Sequence, residues 1–202
     1  ILKDLGKLQD AELSTRKAIR IKPDFAEAYS NLGNILKDLG KLQEAELSYR
    51  KAIELKPHYA EAYSNLGNIL SDLGKLKEAE ISLSKAIELN PNLAEAHYNL
   101  GNILRDLGKL KEAELLQRKA IEINPNYAMA HSNLGNVLSD LGKLKEAELL
   151  QRKAIEINPN FAIAHSNLGN VLRDLGKLKE AELSQRKAIE INPNFAIAYL
   201  NL

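Results

Sequence analysis

The sequence predicts an all-α solenoid of paired antiparallel helices, and three observations predict it. Its six prolines, Pro23, Pro57, Pro91, Pro125, Pro159 and Pro193, follow one another at a step of 34 residues. Its eleven glycines fall in two series with the same step: Gly33, Gly67, Gly101, Gly135 and Gly169, and Gly6, Gly40, Gly74, Gly108, Gly142 and Gly176. Between these punctuation marks apolar residues recur at helical spacing, as in Tyr29, Leu32, Gly33 and Leu36. A strict period of this size means stacked units, each burying its apolar face on its neighbours.

With Ala26 as position 1, full repeats occupy 26–59, 60–93, 94–127, 128–161 and 162–195. Residues 1–25 and 196–202 are partial repeats, so 1–202 reads as a single array. Helix A covers roughly positions 1–14 and helix B roughly positions 17–30. Ala45, Tyr49, Ala52 and Ile53 mark the apolar face of helix B. Gly40 stands where a left-handed residue ends helix A. Pro57 prevents helix B from continuing. Asp24-x-x-Glu27, His58-x-x-Glu61 and Asn92-x-x-Glu95 read as capping boxes for the next helix A. Gly33, inside a helix, costs about 1 kcal/mol against alanine and so needs a packing reason. Close approach of helix B, with Ala45 and Ala52 as the small partners, supplies one.

Composition narrows the function. The chain of 202 residues is 45% apolar, 27% charged and 5% aromatic, with a net charge of +1. That balance excludes a polybasic nucleic-acid binder. No run approaches the ~20 apolar residues of a membrane span, and no secretory leader is visible, which together predict a cytoplasmic protein without membrane partners. Cysteine is absent, so disulfides, thiolate metal sites and a cysteine nucleophile are excluded.

These positions resemble the tetratricopeptide repeat, on Tyr29, Leu32-Gly33, Gly40, Ala45, Ala52 and Pro57 and their phased copies along the whole chain. The resemblance implies a right-handed superhelix with helix A lining its concave face. The sequence departs from the family at position 11 (Leu36, Leu70, Leu104, Leu138, Leu172), at position 17 (Leu42), and at position 24, which is Tyr49 in one repeat and Gln117, Gln151 and Gln185 in others. Pentatricopeptide RNA readers share a two-helix unit. Their groove must attract phosphate, and Asp at every position 13 (Asp38, Asp72, Asp106) opposes that.

No motif of this chain carries catalysis. Gly40-Lys41 lacks the spacing and the following Ser/Thr of a phosphate loop. His97, His131 and His165 share position 4, the aromatic core slot, and none has a partner at metal-ligand spacing. Glu12–Arg16, Glu46–Arg50, Glu114–Arg118, Glu148–Arg152 and Glu182–Arg186 are i, i+4 pairs on helix B. A catalytic group should break the repeat, and none does. The sequence therefore predicts no enzyme, no cofactor and no metal.

The residues that invite a binding role are asparagines. Position 6 is Asn31, Asn65, Asn99, Asn133, Asn167 and Asn201; position 9 is Asn34, Asn68, Asn102, Asn136 and Asn170. Asparagine is a mediocre helix former, yet these lie mid-helix. With 4, 7, 8 and 11 as core positions, 2, 5, 6, 9, 12 and 13 share the opposite side. Asparagine carries donors and an acceptor, so it can bind a peptide backbone without reading side chains. Position 2 shifts from Glu27, Glu61 and Glu95 to Met129, Ile163 and Ile197, which suggests a groove acidic early and apolar late, unless the glutamates serve as caps. The string Asn-Leu-Gly-Asn resembles the repeat arm of O-linked N-acetylglucosamine transferases, in which the position 6 ladder holds substrate polypeptide by its backbone. A carboxylate clamp of the chaperone-tail type is missing, because position 5 is Ser30, Ser64, Tyr98, Ser132 or Ser166. The leading expectation is a protein-interaction scaffold holding an extended polypeptide. The alternatives are a substrate-recruiting arm of a larger glycosyltransferase and a recently duplicated or engineered array with no specific ligand. Uncapped ends predict head-to-tail or end-to-end self-association.

Overall fold

The structure is a computed structural model that describes residues 7–202. The turn position at Gly6 and the half-helix read over Ile1–Leu5 lie outside the described residues. Among these residues the fold is all-α, with twelve helices and no strand. They are α1 (Leu8–Ile21), α2 (Ala26–Asp38), α3 (Leu42–Leu55), α4 (Ala60–Asp72), α5 (Leu76–Leu89), α6 (Ala94–Asp106), α7 (Leu110–Ile123), α8 (Ala128–Asp140), α9 (Leu144–Ile157), α10 (Ala162–Asp174), α11 (Leu178–Ile191) and α12 (Ala196–Leu200). None of them is long and apolar enough to cross a membrane.

The turns repeat one geometry for one reason. Gly40, Gly74, Gly108, Gly142 and Gly176 have φ between 73° and 76°, a conformation that a side chain disfavours. The Lys41 amide bonds the Leu36 carbonyl at 2.8 Å and the Gly40 amide bonds that of Lys37 at 2.9 Å, a Schellman close for α2. Helix starts differ from the capping boxes read in the sequence. The N-caps of α2 and α4 are Phe25 and Tyr59, and neither makes a side-chain cap hydrogen bond. Instead Asn90, Asn124, Asn158 and Asn192 each accept, across the following proline, the amide of Asn92, Asn126, Asn160 and Asn194 at 3.1–3.2 Å. These Asx turns hold the chain between helix B and the next helix A.

The described chain forms two compact units, one through Ile103 and one from Leu104. In the first, α2 packs on α3 and α4 on α5, with α1 against α2 and α3 against α4. In the second, α8 pairs with α9 and α10 with α11, with α7 against α8 and α9 against α10. The cores are the expected ones, Leu32, Leu36, Ala45 and Ala52 in one repeat, and Leu134, Leu138 and Ala147 in another. Two buried series were not anticipated: position 10 (Ile35, Ile69, Ile103, Val137, Val171) and the serines of position 5. Position 5 therefore lies inside the helix layer, not on its open side.

The reason for the mid-helix glycine also needs correcting. A Cβ on Gly33 would stand 2.7 Å from the Tyr49 ring; on Gly67, 2.5 Å from Leu83 Cγ; on Gly135 and Gly169, 2.7 and 2.6 Å from the amide nitrogens of Gln151 and Gln185. The glycine makes room first for the position 24 side chain; of the helix B alanines, the backbone carbonyl of Ala147 comes close as well, 3.3 Å from a Cβ on Gly135. Tyr49, Leu83, Gln151 and Gln185 are all fully buried as a result.

Charged side chains on helix B join successive repeats. The five i, i+4 pairs read in the sequence form at 2.8–2.9 Å. The same glutamates also reach the next repeat: Glu12 to Lys41 at 2.9 Å, Glu46 to Lys75 at 2.8 Å, Glu114 to Lys143 at 3.0 Å and Glu148 to Lys177 at 2.8 Å. Hydrogen bonds from cationic partners, led by Lys41 for Glu12, Lys75 for Glu46, Arg118 for Glu114 and Lys177 for Glu148, hold these four carboxyls below the usual glutamate range. A lowered folded value gives stability that is present above the unfolded glutamate value of about 4.3 and lost as pH falls through the folded values. Each pair includes a half-exposed cation, so each contributes only about 0–1 kcal/mol. The melting temperature should fall as pH is lowered through this window, and should fall less in a variant carrying glutamine at 12, 46, 114 and 148. Parallel profiles for the two proteins would show that these staples do not set the acid response.

Candidate functional site

Buried polar chemistry fixes how the asparagines stand. In the second unit the Gln151 amide nitrogen donates to the Ser132 backbone carbonyl at 2.8 Å. A carbonyl only accepts, so the Gln151 NH₂ faces α8. Its other hydrogen goes to Asn136 Oδ1 at 2.9 Å. The Ser132 hydroxyl donates to Gln151 Oε1 at 2.8 Å, and its lone pair accepts Asn167 Nδ2 at 3.2 Å. In the next repeat Gln185 donates to the Ser166 carbonyl at 3.0 Å and to Asn170 Oδ1 at 3.1 Å. Position 9 thus gives its acceptor to helix B and keeps an NH₂ outside these bonds. Asn167, at position 6, gives its NH₂ to the preceding helix A and keeps an acceptor.

The first unit builds the same contact with other atoms. The Tyr49 hydroxyl donates to Asn34 Oδ1 at 2.7 Å. Burial pushes that hydroxyl upward, aided by the charges of Asp38 and Glu95, so it remains a neutral donor. Asn65 Nδ2 lies 3.5 Å from the same Asn34 Oδ1, so the position 6 amide again reaches the preceding helix A, here at position 9 instead of the position 5 serine. In the repeat 60–93 the position 24 residue is Leu83, which has no polar atom to offer Asn68. Ser64 Oγ and Asn99 Nδ2, which correspond to Ser132 Oγ and Asn167 Nδ2, are buried there without a partner.

The remaining predicted residues fall in these rows. Asn31 is exposed on α2; Asn68 on α4, Asn99 and Asn102 on α6, and Asn133 on α8 are half-exposed. Asn201 follows the last residue of α12 and is also half-exposed. Position 2 supplies a surface ion pair at Glu27, whose carboxylate meets Lys56 at 2.7 Å, and exposed apolar residues at Met129, Ile163 and Ile197. The position 4 histidines are packing groups. The Nε2 atoms of His97, His131 and His165 donate to the carbonyls of Pro91, Pro125 and Pro159 at 2.9, 2.9 and 3.0 Å. No group of His, Asp and Glu among the described residues could hold a metal ion.

A polar cavity of about 270 Å³ opens beside the amides of α8 and α10, lined by Asn136, Ser139, Asn167 and Asn170 and bounded by Arg105 and Asp140. Arg105 Nε donates to Asp140 Oδ2 at 2.6 Å. Sequence reading missed the parts of this site that arrange it. Tyr49 was read only as part of the apolar face of helix B, Gln151 and Gln185 looked like departures from a pattern, and Ser132 looked like a groove residue. The sequence carries no signal for this pairing: serine at position 5 also accompanies Tyr49 and Leu83, and Gln117 accompanies Tyr98. Exposed apolar residues at position 22, Leu13, Leu47, Ile81, Leu115, Leu149 and Leu183, were also overlooked.

Comparison with known proteins agrees with the repeat fold. The TPR repeat family matches residues 1–40, 33–74 and 67–108, and the tetratricopeptide repeat family matches 93–160 and 162–195. The crystal structure of YrrB, a TPR protein with an unusual peptide-binding site, superposes with a TM-score of 0.69 at 30% identity, over 92% of this chain and 96% of that one. MamA superposes with a TM-score of 0.70 at 29% identity, over 82% of this chain and 96% of that one. PilF of Pseudomonas aeruginosa, at 19% identity, shares the fold with a TM-score of 0.85 over 98% of this chain and 90% of that one. No curated protein sequence matches the chain.

The contrast between repeats yields a stability test. Leu83→Gln should raise the melting temperature by satisfying Ser64, Asn68 and Asn99 as Gln151 satisfies their counterparts. A net gain of about 1 kcal/mol is expected. A lower melting temperature would show that the buried leucine is the better occupant of that slot.

Proposed function

Because the chain belongs to the tetratricopeptide repeat family, we propose that it is a non-catalytic scaffold that holds an extended segment of another protein against its A helices, through the asparagines of positions 6 and 9. The observation that carries this reading is the unspent half of each amide. Asn34, Asn136 and Asn170 give up Oδ1 and retain Nδ2, and Asn167 gives up Nδ2 and retains Oδ1. A stretched peptide offers the complementary carbonyls and amides at every residue, whatever its side chains. Packed helices lie about 8–10 Å apart in general, and a step of that size between A helices would match roughly three residues of extended chain. Each bond is worth only about 0.5–1.5 kcal/mol net, so several must act together.

The peptide-binding site of YrrB supports the same class of ligand. The Asn-Leu-Gly-Asn strings, which resemble the repeat arm of O-linked N-acetylglucosamine transferases, support backbone recognition and a second reading as the substrate-recruiting arm of a larger enzyme.

A pool of random 12-residue peptides provides the test. The chain should retain peptides at least about tenfold better than a variant with alanine at Asn31, Asn65, Asn99 and Asn133, since four lost bonds exceed that margin. Equal retention by the two folded proteins would eliminate the position 6 asparagine row as the binding surface.

A further inference from the structure

We infer that Gln151 and Gln185 are positioning residues that give the amide row a fixed polarity, so that the cavity beside α8 and α10 takes the backbone of an uncharged extended peptide in one arrangement: peptide carbonyl on Asn170 Nδ2, peptide N–H on Asn167 Oδ1. This rests on the peptide reading above and specifies how the peptide is held. A free asparagine turns its amide to suit any ligand. Asn170 cannot do so without cost, because Gln185 is itself locked by the Ser166 carbonyl, 3.0 Å away, and presents only a donor to Asn170. Asn167 is locked in the opposite sense through Ser132, whose hydroxyl hydrogen is spent on Gln151. The chain of constraints ends on backbone carbonyls, which have no second orientation.

Asn167 and Asn170 stand three residues apart on α10, about 4.5 Å along its axis. One extended residue turns its own N–H and C=O to the same side, as in a hydrogen-bonded pair of an antiparallel sheet. A donor and an acceptor at adjacent points on one helix face therefore suit a single ligand residue. The cavity they border is about 270 Å³. Its two charged side chains, Arg105 and Asp140, neutralise each other at 2.6 Å. The site thus asks for no charge from the ligand. The repeat 60–93 shows what the positioning supplies: with Leu83 in the slot, Ser64 Oγ and Asn99 Nδ2 lose their partners.

Two substitutions of equal charge test the polarity, with the random 12-residue pool as the probe and the melting temperature as the check on folding. Asn170→Asp keeps the acceptor that Gln185 needs and replaces only the outward NH₂; it should weaken retention about tenfold, the cost of one bond lost and one repulsion gained. Asn167→Asp keeps the outward acceptor and should retain peptide within about threefold of the parent, since its changed atom faces Ser132. Gln185→Leu, a substitution with a natural precedent at Leu83, leaves the native Asn170 amide free to turn its Oδ1 outward and should lower retention about threefold, and Gln185→Tyr, which can donate to Asn170 as Tyr49 donates to Asn34, should restore it. A Gln185→Leu protein that melts lower and still retains peptide as well as the parent, or a Gln185→Tyr protein that folds without restoring retention, overturns its role as a positioning residue. Equal losses, or the reverse order, overturn the polarity and leave the peptide reading standing. A parent protein that retains no peptide overturns both.

Discussion

The contact between the position 8 glycine and the position 24 side chain organises each repeat. At Gly33, Gly67, Gly135 and Gly169 helix B sends one residue so close to helix A that a single added carbon would overlap it. A helix interior tolerates glycine at a cost of about 1 kcal/mol. The return is a buried side chain that spans the helix pair and touches the back of the position 9 asparagine. Packing and amide orientation are therefore one arrangement: where it is tyrosine or glutamine, the residue that fills the core also orients the amide at the surface.

That coupling explains why the identity of position 24 matters more than its volume. Tyr49, Leu83 and Gln151 all fill the slot completely. Tyr49 and Gln151 donate to the asparagine outside; leucine cannot. Glutamine adds a second bond to a helix A carbonyl and through Ser132 reaches the following helix A as well. A purely apolar slot packs equally well and leaves buried polar groups without partners, each of which costs free energy. On the opposite edge of the helix layer, glutamates of helix B bridge to lysines 29 residues further along the chain. The repeats in each compact unit are thus joined by polar bonds on two sides of an alanine- and leucine-rich core.

Most of the fold could be read from the sequence because its punctuation is local. A glycine forced to positive φ and a proline that ends a helix act through their own backbone, and both fell where the 34-residue step put them. The caps of α2 and α4 were misread: Phe25 and Tyr59 make no side-chain cap bond there, and in later repeats the asparagine that binds backbone sits before the proline, at Asn90 and its equivalents. Side-chain partners across helices were beyond a one-dimensional pattern. Gly33 signalled a close approach, but only three dimensions assign it to Tyr49. The asparagine rows were visible as residues, and the direction in which each amide points was not, since it depends on Ser132 and Gln151, nineteen residues apart.

The orientation of the Asn136 amide is the quantity on which the account turns, and it is measurable by scalar coupling through hydrogen bonds in isotopically labelled protein. The account predicts a correlation from the Gln151 side-chain nitrogen to the Asn136 side-chain carbonyl carbon, together with one to the Ser132 backbone carbonyl. A correlation in the reverse sense, from the Asn136 nitrogen to the Gln151 side-chain carbonyl, would contradict it.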